Sequence, residues 1–159
     1  MPPTPFEPQP DELSGYRTFI GIQHDAIRQK LDGLTDEQAL SAPTASDLCM
    51  LTLAKHAAFC ERRWMRAVGR LDMTGYWPPS DPGEELRVDP GDTVTSMLAL
   101  LDEVGAASKE ILAADVDLDT VDDSGLNSRW ILLHLIEELA RHAGHADILR
   151  ESLDGTTGV

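Results

Sequence analysis

Apolar residues recur at helical spacing along four long stretches of the chain, and no stretch sustains the alternation of a strand. The first stretch runs from about Asp11 to Leu31, with Leu13, Tyr16, Ile20, Ile27 and Leu31 as its apolar markers. Gly33 followed by Thr35-Asp36-Glu37-Gln38 reads as a stop and a new start, since Thr35 with Gln38 three residues on fits a capping box. Pro43 ends that short helix by about Ala42. The second long helix is predicted from about Ser46 to Val68, with Gly69 suited to its C-terminal cap. The segment from Asp72 to Gly83 is dense in turn residues, and the connection reaches about Asp92. That is long for a compact domain, and loops of this length often serve as lids or binding loops. The third long helix opens at Asp92 or Thr93 and runs to about Ala114. The acidic stretch Asp115 to Ser124 leads to the fourth, from about Asn127 to Leu153, closed by Asp154-Gly155. Four long helices predict an all-α four-helix bundle over residues 11–159, preceded by a flexible proline-rich arm over residues 1–10.

The chain has 159 residues, the size of one domain, and carries a formal net charge of −15 with a pI of about 4.5. Such a balance repels DNA, RNA and anionic membrane surfaces, so neither nucleic acid nor membrane is expected as a partner. No apolar run is long enough to span a bilayer. Met1-Pro2-Pro3-Thr4-Pro5-Phe6 lacks the basic-then-apolar order of a signal peptide. Cys49 and Cys60 fall on one predicted helix, roughly 16 Å apart at 1.5 Å per residue, too far for a disulfide. A reducing, cytoplasmic setting fits that usage.

The candidate chemistry concentrates on the fourth helix, which holds three of the five histidines. His134, Glu138 and His142 are spaced i, i+4, i+8, and His145 follows three residues later, so all four lie along one stripe. Leu132, Leu135, Leu139, Ala143 and Ala146 mark the middle of the apolar face. Rotation by about 100° per residue turns His142 nearest to that face, Glu138 next to it, and His145 and His134 toward the rim. A carboxylate beside an apolar face is costly unless it is paired or bound to a cation. Pairing with Arg141, or with a basic residue on another helix, is the plain reading. The alternative is a metal site, since imidazole and carboxylate four residues apart on a helix suit zinc. A third ligand must then come from another helix, and His56, with Leu53, Phe59 and Cys60 as its face neighbours, is the best supplier. Cys60 is a weaker one. His24, between Gln23 and Asp25, reads as a surface residue. A His, Glu, His set leaves coordination positions open, as reactive rather than structural sites do. No nucleophilic serine motif, phosphate-binding glycine loop or CxxC pair is present.

His56, the pair Glu138-x-x-x-His142 and the four-helix layout together resemble the DinB/YfiT-like superfamily. The stretch Leu133 to Asp147 is similar to an uncharacterised actinobacterial branch of it. The resemblance implies a DinB-like four-helix bundle with a long crossover connection and a divalent metal, zinc first and nickel second. It also implies that His56, Glu138 and His142 are the ligands. Many members carry histidine at both of the last two positions. Glu138 at the first of them is similar to the N-terminal domain of the mycothiol-dependent maleylpyruvate isomerase branch. His145 falls where many relatives carry glutamine, which implies a proton carrier beside the metal, a role His134 could share.

Characterised relatives activate a low-molecular-weight thiol as a thiolate on the metal. By that analogy the chain is a metal-dependent thiol S-transferase or isomerase acting on an electrophilic small molecule. Arg63 and Arg141 would then receive an anionic thiol or substrate, and Tyr76 and Trp77 would cover the pocket. The plain alternatives are loop anchoring for the aromatics and neutralisation of Glu137 or Glu138 for Arg141. Metal-assisted hydrolysis, and a non-enzymatic binding bundle with a structural metal, are the competing functions. Helix-bundle relatives often pair, so a homodimer is also expected.

Overall fold

The computed structural model describes residues 6–158 apart from 78, 80 and 82. Half of the expected proline-rich arm, residues 1–5, lies outside the described residues. Within the rest of it, the Gln9 side chain accepts a hydrogen bond from Thr18 Oγ1 at 3.0 Å and so meets the first helix. The elements are α1 (Glu12–Leu31), α2 (Asp36–Leu40), α3 (Met50–Val68), a single 3₁₀ turn (Glu84–Leu86), α4 (Val94–Ala113) and α5 (Ser128–Asp154). Isolated bridges join Tyr76 to Pro79 and Val121 to Asn127, and no strand occurs among the described residues. None of the described helices is long and apolar enough to cross a membrane.

Side chains that replace the missing backbone partners set most of the boundaries. Asp11 accepts from Ser14 N at 2.7 Å, and Asn127 accepts from Trp130 N at 2.8 Å. Capping boxes at Thr35/Gln38 and Thr93/Ser96 start α2 and α4. Gly155 closes α5 in the left-handed region, at φ 77°. One long-helix start departs from expectation, and the expected Gly69 cap forms with a different backbone geometry. The second long helix begins at Met50 rather than near Ser46. Ser46 Oγ accepts instead from Leu48 N, holding residues 44–48 out of the helix with a local side-chain bond. Gly69 caps α3 with right-handed backbone, and the left-handed residue is Arg70, at φ 54°. The Arg70 guanidinium, bonded to Thr120 O and Ser128 Oγ, holds that conformation. At Gly69 a side chain would be crowded, because a Cβ there would lie 3.3 Å from the Ile111 side chain, which would have to yield.

The four long helices pack in the cyclic order α1, α5, α3, α4. One apolar cluster gathers Leu31, Met50, Leu53, Leu101 and Leu149. Another gathers Ile27, Met65, Leu112, Leu132, Leu135 and Leu139. Each fully buried aliphatic side chain contributes about 1.5–3 kcal/mol, so these two clusters supply most of the driving force for folding. The crossover from α3 to α4 is moored by Lys55, which is only 5 % exposed. Its Nζ donates to Asp89 Oδ2 at 2.7 Å and to Asp92 Oδ2 at 2.8 Å. That mooring lays the 3₁₀ turn against α3 and delivers Glu85 to the face that carries His56.

Candidate metal centre

Helices α3 and α5 run antiparallel, as the cross-helix pairs His56–His142, Trp64–His134 and Arg70–Ser128 require. The His56 and His142 rings meet edge to face with centroids 4.7 Å apart. Glu138, one turn from His142 on the same helix, brings Oε2 to 3.4 Å from His142 Nε2. His56 Nδ1 lies 3.5 Å from Glu85 Oε1, and Cys60 Sγ lies 3.6 Å from His56 Nε2. Ligand atoms of His56, Cys60 and Glu138 all fall within 4.8 Å of one another. Two of the three expected ligands, His56 and Glu138, therefore share a grouping with Cys60, while His142 stands outside it, against His56 and Glu138. A second grouping, His134 with Glu137 and Glu138, is more open, and its Glu137 is already paired with Arg141.

Both ring nitrogens of His142 are buried and have no hydrogen-bond partner. An unsatisfied buried polar atom costs about 1–3 kcal/mol, and one imidazole carries two here. Burial, and then the neighbouring charge of His56, hold the His142 pKa below its ordinary value. The ring is thus held toward its neutral form, beside the Glu138 carboxylate and the His56 imidazole. Orphaned nitrogens, a neutral imidazole and a mixed N/O/S donor set are what a divalent cation such as zinc requires, so these residues fit one. Burial pushes the Cys60 thiol up to about 12, with Glu85 adding to the effect. Cys60 stays protonated at neutral pH unless a cation is near, and by itself is no thiolate nucleophile.

The remaining expected site residues are placed as follows. Arg63 forms an ion pair with Glu85, and its guanidinium stands 5.8 Å from the Trp77 ring. Trp77 also faces Trp64 at 6.3 Å. Tyr76 turns elsewhere and lies beneath Arg66, at 4.1 Å. Arg141 is exposed, and it bonds both Glu137 and, at 3.0 Å, Glu138 Oε1. His145 is exposed, its ring 5.9 Å from that of His142. His134 lies between Trp64 and Trp130, 5.0 Å from each ring.

A cavity of about 640 Å³ opens toward the C-terminal end of α3, walled by Arg63, Trp64, Trp77 and Arg70 and by the loop around Asp122 and Ser124. No residue of the cluster lines it, and Arg63, paired with Glu85, stands between the two. Sequence reasoning missed Glu85, which stands in a turn-rich loop with no periodicity to aim it. It also misplaced His24. That residue is 5 % exposed and pairs through Nδ1 with Glu61 Oε2 at 2.6 Å. Its polar sequence neighbours point elsewhere, whereas Ile20 and Ile27, at i−4 and i+3, share its face and are buried.

A structure of a conserved protein from Enterococcus faecalis superposes with a TM-score of 0.67 at 17 % identity, covering 89 % of this chain and 96 % of that one. At that identity the likeness concerns the fold alone. No curated protein matches the chain. The family model for mycothiol-S-transferase matches residues 16–155, a span that takes in all four long helices apart from the first turn of α1 and every residue of the cluster. With its DinB-like bundle, the chain belongs to the mycothiol-S-transferase family.

Proposed function

We propose that the protein is a divalent-metal-dependent S-transferase that joins a low-molecular-weight thiol of the mycothiol type to an electrophilic small molecule. The observation that carries this reading is the pair of unpartnered, buried nitrogens on His142 beside His56 and Glu138. His56, Glu138 and His142 would hold the ion, with zinc the first choice. A cation bound there supplies the positive charge that keeps a thiol sulfur deprotonated at neutral pH.

The chain's own residues do the rest. Glu85 and Arg141 fix the orientation of His56 and Glu138 from outside. The cavity reached past Arg63 receives the body of the thiol, with Trp64 and Trp77 as flat walls and Arg63, Arg70 and Asp122 as polar contacts. His145, exposed and next to His142, carries away the thiol proton. The sulfur then forms a bond to the electrophilic carbon as the leaving group departs with its electron pair.

The test is consumption of mycothiol in the presence of an alkylating electrophile such as monochlorobimane, by the metal-loaded protein and after chelation. Thiol-dependent turnover that chelation abolishes is expected, with His145→Ala retaining metal and losing activity by about 10²-fold or more. Turnover of an ester or amide without thiol would instead identify a hydrolase. A metal-loaded protein with neither activity would leave a binding bundle.

A further inference from the structure

A second polar cluster sits on another face of α3. Glu61 is five residues beyond His56, a helical rotation of about 140° away from the metal ligands. It is 1 % exposed and has both carboxylate oxygens engaged. Oε1 accepts from Ser108 Oγ of α4 at 2.6 Å, and Oε2 pairs with His24 Nδ1 of α1 at 2.6 Å. The free polar atom of the trio is therefore His24 Nε2, on a side chain that is almost wholly buried. It has no hydrogen-bond partner among the described residues, and it faces a cavity of about 340 Å³ between α1, α3 and α4. Gly105, which lines the cavity, leaves room for the His24 ring because it has no side chain. A Cβ there would stand 2.7 Å from His24 Nε2.

Charge and shape together restrict what would fill this space. Arg17, whose Nε donates to Leu112 O, and Lys109 line the same cavity, are exposed, and have no carboxylate partner among the described residues, although the chain as a whole carries −15. The nearby Asp102 is already neutralised by Arg28 at 2.6 Å. Ile20 and Leu112 supply an apolar wall. An apolar cavity of about 150 Å³ holds benzene, so this one has room for an aromatic ring bearing a substituent. Burial opposes charging of the His24 ring, but the hydrogen bond and charge of Glu61 more than offset it and raise its pKa. Nε2 is thereby favoured as a donor.

We propose that this cavity is a second ligand site, separate from the metal centre. It would take a small organic anion whose carboxylate meets His24 Nε2 and the cations at the rim and whose apolar body packs against Ile20 and Leu112.

Nitrogen-detected NMR of the histidine rings tests it, with benzoate titrated into the full chain and benzamide, its uncharged isostere, in parallel. The expected result is a saturable shift of His24 Nε2 with benzoate and binding of benzamide about tenfold weaker or worse. Lys109→Ala, an exposed change that leaves the core alone, should weaken benzoate by about threefold, the scale of one exposed charge. Gly105→Ala should abolish binding. His142→Ala should leave benzoate binding as it was, whatever becomes of the metal. Absence of a saturable shift at millimolar benzoate, equal binding of benzamide, or loss of binding in His142→Ala would each overturn the proposal.

Discussion

His142 and His24 show how differently two histidines of one bundle can be used. His142 lies in a nest of other donors with no partner for either nitrogen, while His24 is locked to a buried carboxylate. The first arrangement lowers the proton affinity of the ring and the second raises it. For His24 the consequence for stability has a definite sign. The folded-state pKa lies above the ordinary value of 6.5, so the fold holds this proton more tightly than the unfolded chain does. The stabilisation is fully present below about 6.5 and is lost as the pH rises through the raised folded value. Each tenfold gain in proton affinity on folding corresponds to about 1.4 kcal/mol. Urea unfolding of the wild type and of His24→Gln at about pH 6 and about pH 9 checks this. The wild type should lose its advantage over the variant on going to the higher pH, and parallel losses in both would refute it. The sequence revealed the inward direction of His142 because its stripe neighbours on α5 are leucines and alanines. It misled at His24 because the adjacent Gln23 and Asp25 are polar, although a helix buries by face and not by adjacency.

Most helix boundaries were legible to within a residue or two, since the Thr35 capping box and the closing Gly155 are local signals that tertiary packing did not override, whereas α3 begins four residues later than its pattern suggested. The crossover was legible only as a loop. Its path depends on Lys55 reaching Asp89 and Asp92, pairings 34 and 37 residues apart in sequence that no periodicity announces. Glu85 went unseen for the same reason. The mooring predicts a specific failure. Lys55→Ala removes charge-assisted bonds from a buried donor and should cost about 2–3 kcal/mol of stability. It should also free the segment around residues 73–92 for cleavage, measured as faster limited proteolysis there with the four long helices still intact by circular dichroism. Proteolysis at the wild-type rate would show that the loop is held by something other than Lys55.

For the molecule as a whole, the two apolar clusters stabilise the bundle without reference to any ion, and the metal cluster lies outside them along the α3–α5 seam. A protein built this way keeps its fold when it loses its metal, unlike small domains whose core is the metal site. Loss of a ligand should therefore empty the site without unfolding the chain. The metal content of the purified protein, measured by elemental analysis beside that of His142→Ala, is the most direct check. Roughly one zinc or nickel ion per chain in the wild type, absent from a variant with unchanged helix content, is the expected result. No metal in the wild type even after reconstitution, or the same stoichiometry in His142→Ala, would contradict the metal centre and the S-transferase chemistry proposed to depend on it.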